Sequence, residues 1–273
     1  LGGETIGLAR LAASPSLFAS QSGGGLRRTP LPDRLLPILL APFIGSFLGV
    51  VVHRLPMRKP LVLGRSSCDS CGHVLTPRDL VPVLSYLVTR GRCRYCAAPI
   101  GVAPLAIELA ALGIAIWAAS LDTGPRLWVD CGLGWALLTL AWIDARHMIL
   151  PDPITLPLIL AGLVWAAVVE PDTLVDAAIG AAVGYTAFRL IELAYRRFRG
   201  RDGLGEGDAK LLAVAGAWVG WQGLGSVVLV AALGGLGFAL VQRLRGATVA
   251  ADTAIPFGPF LAASLWLVWL YAT

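Results

Sequence analysis

An all-α polytopic membrane protein of about eight transmembrane helices is the fold class this chain predicts. Three observations predict it. First, the 273 residues are 56% hydrophobic and only 14% charged, with a mean hydropathy of +0.74. A soluble domain is nearer about 45–50% apolar and about 25% charged. Second, the apolar residues gather in runs of membrane-spanning length, parted by short polar turns. Third, the basic residues cluster in particular loops. The net charge of +5 therefore reports how the chain is threaded, and no nucleic-acid partner is expected. The expected partner of most of the apolar surface is the lipid bilayer. Nine tryptophans and 32 glycines suit interfacial anchors and close helix contacts.

Residues 1–34 are rich in Gly, Ser, Ala and Arg and hold no apolar core of signal-peptide length. They read as a mobile N-terminal tail. Residues 35–52 read as the first transmembrane helix, with Gly45, Ser46 and Gly49 as a small-residue packing face. Residues 53–102 follow as the one sizeable extramembrane loop. It sets Arg54, Arg58, Lys59, Arg65, Arg78, Arg90, Arg92 and Arg94 against Asp69 and Asp79. Such an excess of basic residues places the loop in the cytoplasm.

Within this loop lie Cys68-Asp69-Ser70-Cys71 and Cys93-Arg94-Tyr95-Cys96, with 21 residues between the pairs. Two such knuckles bring four thiolates around one tetrahedral zinc. Four thiolates leave no open coordination position, so the metal would be structural. Two disulfides are the alternative, and a reducing cytoplasmic loop disfavours them. His73 follows Cys71 closely but reads as a bystander. His53 reads as an interfacial residue.

Residues 103–120 form the second span and contain Glu108, for which a functional and a packing role both stay open. The third span runs over 127–143, with Asp130 and Cys131 at its outer end in a solvated or packing role. It leads directly into Asp144-Ala145-Arg146-His147-Met148-Ile149-Leu150-Pro151-Asp152-Pro153. The two prolines there suit a bent or re-entrant entry to the fourth span, 154–169. Residues 173–195 are the fifth span, with Asp176 and Glu192 near its ends. Arg196, Arg197, Arg199 and Arg201 then mark a second cytoplasmic loop, which ends in Gly205-Glu206-Gly207-Asp208. Spans are expected at 211–219, 226–241 and 255–271. This threading leaves both termini outside the cytoplasm, although Arg10, Arg27, Arg28 and Arg34 in the tail point the other way.

Asp144 and Asp208 each stand at the edge of an apolar run and, with this threading, on the same membrane face. A carboxylate in that position is costly to keep and marks a functional site by default. Two carboxylates at close quarters share one proton. The ionised member can then take a proton from water while the protonated one polarises a scissile carbonyl. Helix capping is the plainer reading of each aspartate. Asp152 competes with Asp144 as the partner of Asp208.

Several motifs occur together and in order. They are the run from Gly45 to Pro56, the two Cys pairs, Pro82-Val83-Leu84-Ser85-Tyr86, and Arg90-Gly91-Arg92-Cys93-Arg94. The Asp144–Asp152 segment, Gly205-Glu206-Gly207-Asp208 and Pro256-Phe257-Gly258-Pro259 complete the set. In this order they resemble the prepilin peptidase family, the GxGD-type leader peptidases of type IV pili. The resemblance implies a bacterial inner-membrane aspartic endopeptidase, with residues 103–273 as its transmembrane peptidase domain. Asp144 and Asp208 would be catalytic, facing the cytoplasm, and the substrates would be type IV prepilins or type II secretion pseudopilins. It also implies that the new N-terminus is methylated from S-adenosylmethionine, with the 53–102 loop as the methyltransferase region. No motif names the residues that would bind the donor. Two departures, a short segment between Pro56 and Cys68 and Leu80 in place of a common asparagine, leave a peptidase-only relative as the alternative. A membrane docking protein with a structural zinc loop is the remaining one.

Overall fold

The computed structural model describes residues 31–61, 64–199, 205–246 and 256–272. Residues 1–30 of the tail expected over 1–34 therefore lie outside the described residues, as do Arg201 and Ile255, while residues 31–34 belong to the first helix. Among the described residues, six helices are long and apolar enough to cross a membrane, and a seventh apolar helix is shorter. They are α1 (Leu31–Arg54), α3 (Ala103–Leu121), α4 (Gly124–His147), α5 (Asp152–Val169), α6 (Leu174–Arg199), α7 (Glu206–Leu244) and the shorter α8 (Gly258–Ala272). A six-residue α2 (Leu84–Thr89) lies in the loop between α1 and α3. The fold is thus all-α and polytopic. The count differs from the expected eight because residues 211–219 and 226–241 fall in one helix assignment.

That assignment covers a break. Gly220 in α7 has φ +68 and ψ 176, a backbone open to glycine and strained for other residues. Two helical arms meet there. Asp176 of α6 holds the joint by accepting Trp221 Nε1 at 3.0 Å and Gln222 Nε2 at 2.8 Å. The arm carrying Asp208 packs against α6 through glycines. A Cβ on Gly216 would overlap the Gly180 carbonyl, and one on Gly180 would come to 2.5 Å from Gly216 O. Neighbouring helices this close gain their contact energy from backbone packing.

The α4 helix is the most enclosed of the spanning helices, and its Leu127, Leu137, Leu140 and Ile143 are sealed among α1, α3 and α8. Several tryptophans tie helices together inside the protein, where interfacial anchors were expected. Trp266 Nε1 donates to Asp130 O at 3.0 Å, Trp269 Nε1 to Asp130 Oδ1 at 2.8 Å, and Trp135 Nε1 to Ala111 O at 3.0 Å. Asp130 is fully buried in these contacts, so packing is its role. The outward residues are apolar instead, as at Leu39, Val168 and Leu236, the pattern of a surface facing lipid.

The turn between α4 and α5 is bent, one of the two expected forms. Met148 closes α4 at φ 54, Pro151 is extended, and Pro153 lies in the first turn of α5. A proline there forfeits an N–H that has no helical partner anyway.

Candidate active site

Asp144 lies in the last turn of α4 and is buried. Its Oδ2 accepts the backbone N–H of Gly258 at 3.1 Å. That N–H belongs to the first turn of α8, where helical amides lack partners and favour a carboxylate. Gly258 must be glycine for this approach, since a Cβ there would meet Asp144 Oδ2 at 2.6 Å.

Asp208 lies in the first turn of α7 and is also buried. Gly205 is the extended residue that opens this helix, and its carbonyl accepts the Asp208 N–H at 3.0 Å. Gly207 lets the turn seat on Leu150, whose Cβ a Gly207 side chain would meet at 2.9 Å. Leu150 belongs to the turn that follows Asp144, so this contact draws the two aspartate-bearing segments together.

Asp152 is placed differently. Its side chain is half exposed, and Lys210 Nζ lies 2.7 Å from its Oδ1 and 3.1 Å from Glu206 Oε1. This is a solvent-facing ion pair that ties α5 to α7. The structure therefore buries both Asp144 and Asp208 on segments that touch through Gly207 and Leu150, and leaves Asp152 on the rim. The Gly258 and Lys210 contacts were not foreseen. Pro256-Phe257-Gly258-Pro259 had been singled out as a motif, but nothing in it says which carboxylate its amide meets.

The cysteine loop forms a second centre. Its two knuckles repeat one backbone pattern. Cys68 N–H donates to His73 O at 2.9 Å, and Cys93 N–H to Ala98 O at 2.8 Å. Gly72 N–H returns to Cys68 O and Ala97 N–H to Cys93 O, with Gly72 at φ +69 and Ala97 at φ +58. Each turn thereby aims two sulfurs inward. The Sγ atoms of Cys68, Cys71, Cys93 and Cys96 all lie within 4.8 Å of one another, a group able to hold a metal ion. The Cys68 and Cys96 sulfurs are 3.8 Å apart, far beyond a disulfide bond of about 2.05 Å. That distance is close to the edge of a tetrahedron with arms of about 2.3 Å, the zinc–thiolate length. The N–H groups of Cys71 and Ser70 pull the Cys68 thiol down to about 6, readying one thiolate. His73 stands outside the group, its ring 3.6 Å from that of Tyr95. Asp79 buttresses the loop, accepting from Thr76 N at 3.0 Å and Oγ1 at 2.7 Å and pairing with Arg94 at 2.9 Å.

Fold and site together define a polytopic helical membrane protein with two buried carboxylates on contacting segments and a metal-competent cysteine loop. Comparison with known proteins narrows this class. The bacterial peptidase A24 N-terminal domain matches residues 39–121, and the type IV leader peptidase family matches residues 131–240. A prepilin leader peptidase/N-methyltransferase of Burkholderia pseudomallei is 41% identical over 256 residues, covering 83% of this chain and 81% of its own. Proteins of the same name from Aeromonas hydrophila and Pseudomonas aeruginosa are 38% and 36% identical, covering 86% and 89% of this chain and 90% and 91% of theirs. No solved structure matches the chain. The chain belongs to the type IV leader peptidase family, and it is an aspartic peptidase.

Proposed function

We propose that this protein removes the basic leader of type IV prepilins or type II secretion pseudopilins, using Asp144 and Asp208, and then N-methylates the new terminus. The observation that supports the peptidase assignment is that both aspartates are buried on segments in contact through Gly207 and Leu150, with Asp152 held on Lys210. One carboxylate takes a proton from water, and the resulting hydroxide attacks the scissile carbonyl carbon. The other gives its proton to the carbonyl oxygen. Collapse of the tetrahedral intermediate breaks the C–N bond, and the amine leaves with a proton from the pair. Gly258 N–H orients Asp144 throughout and supports its charge.

In this reading the protein is a multi-pass protein of the bacterial inner membrane. The two arms of α7 cross separately, giving eight spans with the site at the cytoplasmic face. The basic residues of the 53–102 loop support that orientation. Cys68, Cys71, Cys93 and Cys96 would hold a structural zinc, which closes the loop without entering the chemistry. Methyl transfer is supported by the names of the relatives, which align over most of their length. S-adenosylmethionine, when bound, would supply an electrophilic methyl for the new amine.

The deciding experiment is cleavage of a purified prepilin by Asp208→Asn protein that retains its fold and membrane insertion. Loss of cleavage by about a thousandfold or more is expected. Unchanged cleavage would remove Asp208 from the mechanism.

A further inference from the structure

Glu108 is not one of the two aspartates assigned to proteolysis, yet the fold goes to some length to hold it. It is buried in α3, and its Oε2 accepts the N–H of Val83 at 2.7 Å. Val83 sits at φ 60 and ψ −52, a strained γ-turn geometry for a β-branched residue. From the other side, Gly45 of α1 packs on the Glu108 backbone so closely that a Cβ would come to 2.7 Å of its Cα. A buried carboxylate with a strained partner is a candidate functional site.

Glu108 lies where two lobes of one cleft meet. The wide lobe, about 600 Å³, runs between α1 and the cysteine loop and carries Lys59 and Asp69. The narrow lobe, about 230 Å³, lies under Cys68 and Cys93 and is lined by Tyr86. Ser46, Asp69, Leu80 and Glu108 line both. The wide lobe ends on Arg146 and His147, in the same helical turn as Asp144. The cleft thus reaches from the cysteine loop to the end of the helix that carries a peptidase aspartate.

We propose that this cleft binds S-adenosylmethionine, with Glu108 facing its sulfonium charge. The inference rests on the methyl-transfer part of the function above. The acceptor amine is produced beside Asp144, so the donor must be held within reach of that helix end. The cleft meets this need and falls in the range of small-molecule pockets, about 300–1,000 Å³. Its charges match a donor with a cationic sulfur and a carboxylate: Glu108 and Asp69 for the first, Lys59 for the second. Tyr86 offers a ring face for the purine.

The test is equilibrium dialysis of full-length protein in detergent with labelled S-adenosylmethionine, without pilin, beside competition by the neutral thioether S-adenosylhomocysteine. The wild-type protein should bind the cationic donor, and Glu108→Gln should weaken it by about tenfold while binding the neutral thioether nearly as before. A merely structural role would weaken both alike. Gly49→Phe provides a second variant, because Gly49 lines the wide lobe with nothing within 4 Å of its missing Cβ. Its ring should block both compounds while zinc content and thermal midpoint hold. If the wild type binds and both variants bind equally well, the cleft is the wrong site and methyl transfer stands. If the wild type binds no donor, the methyl-transfer reading falls and this site with it.

Discussion

The backbone N–H of Gly258 reaches Oδ2 of Asp144 at 3.1 Å, joining the start of α8 to the end of α4. Residues far apart in the chain meet at one oxygen, and the position has no room for a β-carbon. Gly258→Ala would set a methyl 2.6 Å from that oxygen and push the carboxylate away. Displacing a catalytic group by about 1 Å costs about a hundredfold in rate. Cleavage of a purified prepilin should fall by that order with the thermal midpoint nearly unchanged, and full activity would show that the Gly258 contact is dispensable.

Asp152 tests the choice of partner. Its ion pair with Lys210 is partly solvated, and such pairs are worth little, about 0–1 kcal/mol. Asp152→Asn should retain cleavage within about threefold, where Asp144→Asn loses at least about a thousandfold. The reverse ranking, measured in the same assay, would transfer the site to Asp152.

The glycine contact between α6 and α7 sets the position of Asp208. Gly216→Leu would drive a side chain into the Gly180 carbonyl, and overpacking of this kind costs about 1–3 kcal/mol or more. A clear drop in thermal midpoint and in detergent-soluble yield is expected. Gly49→Ala is the contrasting case, with open space around it, and should leave both measures intact.

The cysteine loop makes two predictions on metal and pH. Purified protein should hold about one zinc per chain, and Cys68→Ser with Cys96→Ser should hold none. Asp79 sets the pH behaviour. The Thr76 hydroxyl and amide, then Tyr95 and Arg94, hold its carboxyl below the usual 3.8. A lowered carboxyl adds stability that is fully present above the unfolded value and is lost as pH falls through the folded one. Asp79→Asn should therefore lower the loop's melting midpoint by a few degrees, by the same amount from pH 5 to pH 8. A deficit that changes within that range would move the effect away from the Asp79 carboxyl.

Much of the site was legible from residue types. Gly205, Gly207 and Asp208 sit together in one turn, and both Cys pairs carry their spacing in plain view. Short-range patterns of this kind encode local geometry directly, as the repeated knuckle hydrogen bonds confirm. Glu108 was legible only as an oddity, a carboxylate in an apolar run. Its strained partner Val83 and the cleft around it come from three separate stretches of chain. The tryptophans misled for a related reason. Composition places an indole equally well at a membrane boundary or between helices, and only the partner of its N–H decides.

The sequence by itself determined that the chain is helical and membrane-embedded, where most spans begin and end, and which four sulfurs belong together. These follow from hydropathy over about 20 residues and from spacing within a turn, both local quantities. Only the tertiary structure separated the surroundings of Asp144 and Asp152, the first buried and the second half exposed on Lys210. The two carboxylates lie in adjoining segments with similar neighbours, so no local rule separates them. Helix packing does: α4 carries Asp144 inward to the first amide of α8, while α5 opens with Asp152 pointing to solvent and to Lys210.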